Sequence, residues 1–177
     1  MVLKLIEVNE KYLDQYKEAY LDSLKQIELG TMKKHDLMFA NPDENDIIQI
    51  FMDSRDPSKL PAHYVPSYNY LAVEDDKLIG VIYIRIRLTD ALLKYGGHIG
   101  YGVNPKYWNM GYGKQLLKLG LQKYKNLIEE DQILITCDDD NIGSYKIIEY
   151  NGGVLENKVE NDEEGEKFLT RRYWIQK

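Results

Sequence analysis

Residues 98–137 constrain the fold of this chain more than any other stretch. His98 to Val103 reads as a short strand closed by Asn104-Pro105, and Gly111 to Lys125 reads as a helix. Gly113, Leu116, Leu117, Gly120, Leu121 and Tyr124 share one helical face, with Lys114, Lys118 and Lys125 opposite. Gln132 to Cys137 follows as an uninterrupted apolar run, the pattern of a strand covered on both faces. A strand that passes through a helix into a buried strand demands helices layered against a sheet.

The remaining sequence supplies those layers. Val2 to Val8 fits a strand, and Glu10 to Gln26 places Leu13, Tyr16, Tyr20, Leu24 and Ile27 at helical spacing. Glu28 to Asn41 is polar and without a period. Pro42-Asp43 opens a second helical pattern through Ile47, Ile50 and Phe51, and Pro57, Pro61 and Pro66 punctuate the loop beyond it. Tyr70 to Glu74 and Leu78 to Leu88 read as strands about an Asp75-Asp76 turn. In the second strand Leu78, Gly80, Ile82, Ile84 and Ile86 alternate with Ile79, Val81, Tyr83, Arg85 and Arg87. Thr89 to Tyr95 is a short helical link, broken by Gly96-Gly97. Asn141 is placed to cap a helix reaching Tyr150, which Asn151-Gly152-Gly153 terminates. Val154 to Val159 and Lys167 to Ile175 form a hairpin around the acidic turn Glu160 to Gly165. The expected order is β-α-α-β-β-β-α-β-α-β-β, a mixed α/β sheet with helices, in one domain over residues 1–177.

Composition narrows the function. The 177 residues match one average domain and can bury roughly 70% of the unfolded chain's surface without staples. Lys plus Arg is 23 against 29 for Asp plus Glu, a net charge of −6, so no nucleic-acid partner is expected. The single cysteine, Cys137, excludes a disulfide framework and a cysteine metal site, and its apolar strand makes it an inert core thiol. No apolar run approaches the roughly 20 residues of a membrane span, so no membrane partner is expected. Lys4, Glu7, Glu10 and Lys11 interrupt the first residues, against a signal peptide, and the expected location is cytoplasmic. His35 and His63 lie in separate loops with no carboxylate at metal spacing, so no metal is assigned.

The segment His98-Ile-Gly-Tyr-Gly-Val-Asn-Pro-Lys-Tyr-Trp-Asn-Met-Gly-Tyr-Gly-Lys114 carries the chemistry. A glycine-bearing turn between strand and helix leaves backbone N–H groups free at the positive end of the helix dipole. Glycines let a phosphate approach closely, so the turn is a candidate diphosphate cradle, with simple turn chemistry as the alternative. Neither the GxGxxG spacing of a dinucleotide fold nor the Gly-Lys-Ser/Thr of a P-loop is present.

Two blocks resemble the GNAT superfamily of acyl-CoA N-acyltransferases. That family follows a strand ending in Val-x-Pro with Arg/Gln-x-x-Gly-x-Gly/Ala; here Val103-Asn-Pro precedes Trp108-Asn-Met-Gly111-Tyr-Gly113. Its second block, Asn-x-x-Ala/Ser and a helix ending near Glu-Lys-x-Gly, is matched by Asn141-Ile-Gly-Ser144 and Glu149-Tyr-Asn-Gly152. The resemblance covers residues 70–153 and implies the GNAT fold and an acetyl-CoA-dependent N-acetyltransferase. It implies a diphosphate of acetyl-CoA on the loop Trp108, Asn109, Met110, Gly111, Tyr112, Gly113 and Lys114. It also implies pantetheine along the backbone of Tyr101, Gly102 and Val103, with the Val103 amide as an oxyanion donor. Asn141 resembles the asparagine that contacts pantetheine, with Ser144 one turn on.

Two departures follow. Trp108 stands where the family has Arg or Gln. Ile148 falls where a tyrosine often protonates the departing thiolate; Tyr145, one turn earlier, is the substitute candidate, with core packing as the alternative. Family members also place a Glu or His base at positions matching Gly97 and Ile99. His98 lies between these and faces the other way unless a bulge re-aims it. The expected acceptor is a small-molecule or peptide amine held by the first two helices, their linker to Tyr70 and the last hairpin, with Arg85 and Arg87 as candidate contacts for an acceptor carboxylate and ordinary surface placement as the alternative. A homodimer is the expected assembly. The alternatives are a non-catalytic acyl-CoA sensor of the same fold and a domain holding another phosphate ligand.

Overall fold

A computed structural model describes residues 2–163 and 166–177. Strands β1 (Lys4–Ile6), β2 (Ser67–Glu74), β3 (Lys77–Arg85) and β4 (Ile99–Val103) form one antiparallel sheet in that order. Strands β5 (Gln132–Asp138), β6 (Val154–Glu163) and β7 (Glu166–Gln176) form a second, ordered β5-β7-β6 and again antiparallel. The helices are α1 (Leu13–Glu28), α2 (Ile47–Asp53), α3 (Asp90–Lys94), α4 (Tyr112–Tyr124) and α5 (Ile142–Tyr150). The expected order is found, with the Thr89–Tyr95 link forming α3 under a Thr89 cap. No helix among the described residues is long and apolar enough to cross a membrane.

The first sheet is covered on both faces. On one face Ile82, Ile84 and Ile99 pack with Leu116 and Leu117 of α4 and with Ile133 and Ile135 of β5. On the other, Leu71, Val73 and Val81 pack with Tyr16 and Ala19 of α1 and Ile47 and Phe51 of α2. Each such side chain, fully buried, contributes roughly 1.5–3 kcal/mol, so the two clusters fix the positions of the helices about the sheet.

Four local expectations are corrected. The fully buried line of α1 is Tyr16, Ala19 and Ser23; of the expected stripe Tyr16 is in the core, and Leu13 and Tyr20 are partly buried against it. Ser23 can be buried because its hydroxyl turns back to the Ala19 carbonyl at 2.8 Å. Helix α2 starts at Ile47 rather than Pro42-Asp43, because the Asp46 carboxylate accepts the Gln49 N–H at 3.0 Å. In β3 the register jumps from Ala72–Gly80 to Val73–Leu78, a bulge at Ile79. Leu78 therefore joins Val81 on the α1–α2 face while Ile79 joins Ile82 on the other, so the alternation inverts there. The last hairpin is longer than expected, with Glu160 to Glu163 in strand; Glu164 and Gly165 of the expected turn lie outside the described residues.

The two sheets meet where β4 begins. The His98 N–H donates to the Leu134 carbonyl at 2.8 Å, and the Leu134 N–H donates back to His98 Nδ1 at 2.9 Å. Gly97, at φ +57°, permits this approach: a Cβ there would lie 2.5 Å from the Leu134 oxygen. Beyond this joint β4 and β5 belong to separate ladders.

Candidate functional site

A cavity of about 940 Å³ opens between β4 and β5 and runs from the start of α4 to the loop around residues 30–39. That volume falls within the range of ordinary ligand sites. The two ends are built from different materials.

At the α4 end the polar groups are backbone amides. Side chains cap α2, α3 and α5, through Asp46, Thr89 and Asn141, whereas no side chain caps α4. Its first N–H groups have no partner within the helix. The approach is left-handed at Asn109 (φ +59°) and at the N-cap Gly111 (φ +83°), a conformation that gathers amides into an anion-binding concavity. Nothing lies within 4 Å of where a Gly111 Cβ would be, so that glycine serves the backbone angle. Gly113 serves packing: its Cβ would lie 2.4 Å from Ile147 Cδ1 on α5. Asn109, Gly111, Tyr112, Gly113 and Lys114 all line the cavity. The Tyr112 hydroxyl donates to Glu74 at 2.6 Å, and the Lys114 ammonium stands over the Tyr150 ring, 4.4 Å from its centroid. Met110 points outward, 61% exposed.

Strand β4 presents a free edge. The His98 carbonyl accepts the Arg85 N–H and the Asn104 N–H donates to the Ile79 carbonyl, so in the antiparallel ladder every second residue between them faces β3. Ile99, Tyr101 and Val103 therefore turn their N–H and C=O groups toward the cavity side. Trp108 takes one of these groups, its indole N–H donating to the Val103 carbonyl at 2.8 Å. This is the role of the residue that stands in place of Arg or Gln. The Tyr101 hydroxyl meets Ser144 Oγ at 3.0 Å, and burial raises the phenol's pKa. Asn141 accepts the Ser144 N–H at 3.0 Å, so its Oδ1 is spent on starting α5. Cys137 also faces the cavity, rather than lying wholly in the core, and burial pushes its thiol up to about 12.

The two catalytic side-chain candidates lie elsewhere. His98 is fully buried, with Nδ1 accepting from Leu134 and Nε2 donating to Glu130 at 2.9 Å. Burial lowers its pKa, and both ring nitrogens are committed to joining the sheets; no bulge turns it to the cavity. Tyr145 packs on the core with the Arg171 guanidinium 4.1 Å from its ring centroid, so it too is part of the scaffold.

The other end is made of side chains that sequence reading left unassigned. Met38 lies flat on β4, seating the 30–39 loop: a Cβ at Gly100 or Gly102 would come within 2.7 Å of it. The loop carries Lys33, His35 and Asp36 to the buried Asp138 of β5. The His35 Nε2–Asp138 contact is 2.7 Å, and Lys33 Nζ lies 2.9 Å from both Asp138 and Asp140. Burial raises the Asp36 carboxyl, and the charge of Asp138 raises it further. The expectation that His35 has no carboxylate at metal spacing is corrected. One ligand atom each from His35, Asp36 and Asp138 lie within 4.8 Å of one another, and the Lys33 ammonium supplies a positive charge to the group. Sequence separations above 100 residues hide such a cluster; the dense polar run Lys33-Lys-His-Asp36 is the one local signal.

Comparisons with known proteins agree with this architecture. The sequence model of the acetyltransferase (GNAT) family matches residues 33–152. Among solved structures, the microcin C7 self-immunity acetyltransferase MccE, in complex with acetyl-CoA and AMP, superposes with a TM-score of 0.72 at 19% identity, over 99% of this chain and 92% of that one. The ribosomal L7/L12 alpha-N-protein acetyltransferase RimL, in complex with coenzyme A, gives 0.72 at 17% identity, over 99% and 94%. A GNAT-family acetyltransferase from Bacillus anthracis gives 0.68 at 17%, over 99% and 95%. No curated protein sequence matches the chain.

Proposed function

The chain belongs to the acetyltransferase (GNAT) family of acetyl-CoA-dependent N-acetyltransferases, and from that premise we propose that it transfers acetyl directly to a primary amine in a ternary complex, with residues 1–177 acting as one domain. One observation carries this reading: a single cavity joins an uncapped helix N-terminus and a free strand edge to a carboxylate cluster. Acetyl-CoA supplies the activated thioester. The amides from Asn109 to Lys114 would hold its diphosphate, and the β4 edge at Tyr101 and Val103 would hold the pantetheine. The Val103 N–H would stabilise the charge that develops on the thioester oxygen.

An amine is protonated at neutral pH, with a pKa of about 10, and must lose a proton before attack. Asp36 is assigned that proton: its surroundings make it more basic than an ordinary aspartate. Lys33 and His35 hold Asp138 beside it. The Tyr101 hydroxyl, kept protonated by burial and placed on Ser144, is the donor assigned to the leaving thiolate in place of Tyr145. Cys137 is left out because a thiol near 12 is scarcely ionised at neutral pH.

Initial-rate kinetics with acetyl-CoA and an amine panel test the reading. Intersecting double-reciprocal lines and an active Cys137→Ala variant are expected. Parallel lines with an inactive, folded Cys137→Ala would establish an acyl-enzyme route instead. Tight CoA binding without turnover of any amine would mark an acyl-CoA sensor.

A further inference from the structure

Arg85 ends β3 and lines the cavity on the side of Tyr95 and Gly96. Its Nη1 donates to the carbonyls of Gly96 and Gly97, at 3.0 and 3.1 Å. Of the five N–H donors of a guanidinium, those on Nε and Nη2 have no acceptor among the described residues. The other half-buried arginines differ: Arg55 pairs with Glu7 at 2.7 Å, Arg171 with Asp139 at 2.6 Å and Arg172 with Glu156 at 2.9 Å. Among the described residues no carboxylate pairs with Arg85.

The surroundings leave its charge uncompensated. Burial lowers the Arg85 pKa, and the side chains that face it are those of Tyr83, Tyr95, Tyr64 and the buried His98, none of them a carboxylate. Of the acids that line the same cavity, Asp138 and Asp140 pair with the Lys33 ammonium, and Asp36 sits beside Asp138 and His35 in the carboxylate cluster. A guanidinium taken from water without a counter-charge is costly to the fold. Its open Nε–Nη2 edge offers two parallel donors at the spacing of a carboxylate's oxygens. The carbonyls of Gly96 and Gly97 hold the other edge, so the fork is fixed before a ligand arrives.

We propose that Arg85 binds a carboxylate of the acceptor, so that the amine acetylated here is that of an amino acid. The proposal rests on the acetyl-transfer reading and names the acceptor's class. The cavity would then match both charges of its acceptor: Arg85 takes the acid, and the Asp36–Asp138 group draws the ammonium and removes its proton. Tyr95, beside Arg85 in the cavity wall, sets the space left for the acceptor's side chain.

The test compares the standard amino acids with their carboxamides, using wild type, Arg85→Gln and Arg85→Lys. Wild type should prefer the best acid over its amide by about ten- to a hundredfold in kcat/KM, the value of hydrogen bonds to a charged group. In Arg85→Gln that ratio should fall toward one, through KM. Arg85→Lys, a point charge without the fork, should retain part of it. CoA affinity should match wild type in both variants. Equal use of acid and amide by wild type, or a ratio unchanged in Arg85→Gln, would overturn the assignment.

A binding arm separates this from failure of the acetyl-transfer reading. The melting temperature of the protein with CoA bound is titrated with each acid and amide. An acid-selective rise that disappears in Arg85→Gln supports the carboxylate site even where no acetyl is transferred. Absence of any acid-selective rise, together with absence of acid-selective turnover, overturns it. Loss of CoA binding itself in wild type would instead break the reading on which the proposal stands.

Discussion

At the α4 end of the cavity the polar groups are main-chain amides between Asn109 and Lys114, and at the other end they are side chains from residues 33–36, 85 and 138–140. The first set needs only a short run of sequence: a left-handed Asn109, a left-handed Gly111 and a helix that starts without a side-chain cap. The second set needs the whole fold, since Lys33 and Asp138 meet across 105 positions. A backbone-made site tolerates side-chain change and depends on glycine positions. A site made of side chains depends on single carboxylates and guanidinium groups and can be retuned without disturbing the first. That difference predicts that substitutions will separate CoA binding from acceptor chemistry.

The largest effect is expected at Gly113. A valine there must push against Ile147, with its Cβ 2.4 Å from Cδ1 in the present packing. The fold should lose roughly 1–3 kcal/mol to overpacking. Displacing two amide hydrogen bonds to a charged diphosphate, each about 1.5–3 kcal/mol, should weaken CoA binding a hundredfold or more. Gly111→Ala has free space but a positive φ, so it should cost about 1–2 kcal/mol in strain and less in affinity. Calorimetric CoA titration and melting temperatures for both variants decide the matter. A folded Gly113→Val that binds CoA like the parent would break the contrast between the two ends.

Asp36→Asn is the counterpart at the acceptor end. It removes the base but no part of the helix start, so kcat should fall by about a hundredfold or more while CoA affinity stays within error. Turnover that survives this change would move the base to another member of the cluster, with His35→Ala and Asp138→Asn as the variants to compare.

The same contrast explains what could be read in advance. The order of elements, the Asp75-Asp76 turn and the Asn141 cap rest on local chemistry, and all were legible. The CoA loop was legible because Val103-Asn-Pro and Gly111-Tyr-Gly113 are contiguous. The face inversion at Ile79 was hidden, because a bulge leaves no mark in a run of apolar residues. The alternation of β4 already turned His98 away from the loop, and the structure makes it a structural joint, but its partners Leu134 and Glu130 lie more than 30 residues away and could not be read locally. Asp36 and Asp138 were hidden because long-range closure decides what a polar side chain faces, whereas Arg85 was legible as a candidate carboxylate contact from its place on the strand.

Asn141→Ala probes the border between the two ends, with a smaller effect. The variant loses the cap on the Ser144 N–H, about 1 kcal/mol of stability. Ser144 holds the Tyr101 hydroxyl, so kcat should fall several-fold more than CoA affinity. A loss confined to affinity would place Asn141 wholly with the CoA end.

The smallest effect expected concerns His98, which belongs to neither end and supports both. Burial lowers its pKa below the ordinary value of about 6.5, while Glu130 partly opposes the shift. Below that value the unfolded chain binds a proton that the folded chain resists, so the unfolded state gains protons first. Stability is therefore fully present above about pH 6.5 and is lost as pH falls through the lower folded-state pKa. Asp36 acts with the opposite sign: its raised carboxyl makes the folded state the better proton acceptor, so acidification favours folding through that group. Measuring melting temperature between about pH 7.5 and about pH 5, a range that brackets the ordinary histidine value, in the Asp36→Asn background isolates the His98 contribution. The expected result is a fall of a few degrees that His98→Gln abolishes, apart from a constant offset for its altered hydrogen bonds. Because the joint holds β4 against β5, CoA affinity and acceptor turnover should weaken together over the same pH window. Weakening at one end alone would show that His98 serves that end, and the joint would cease to be common ground.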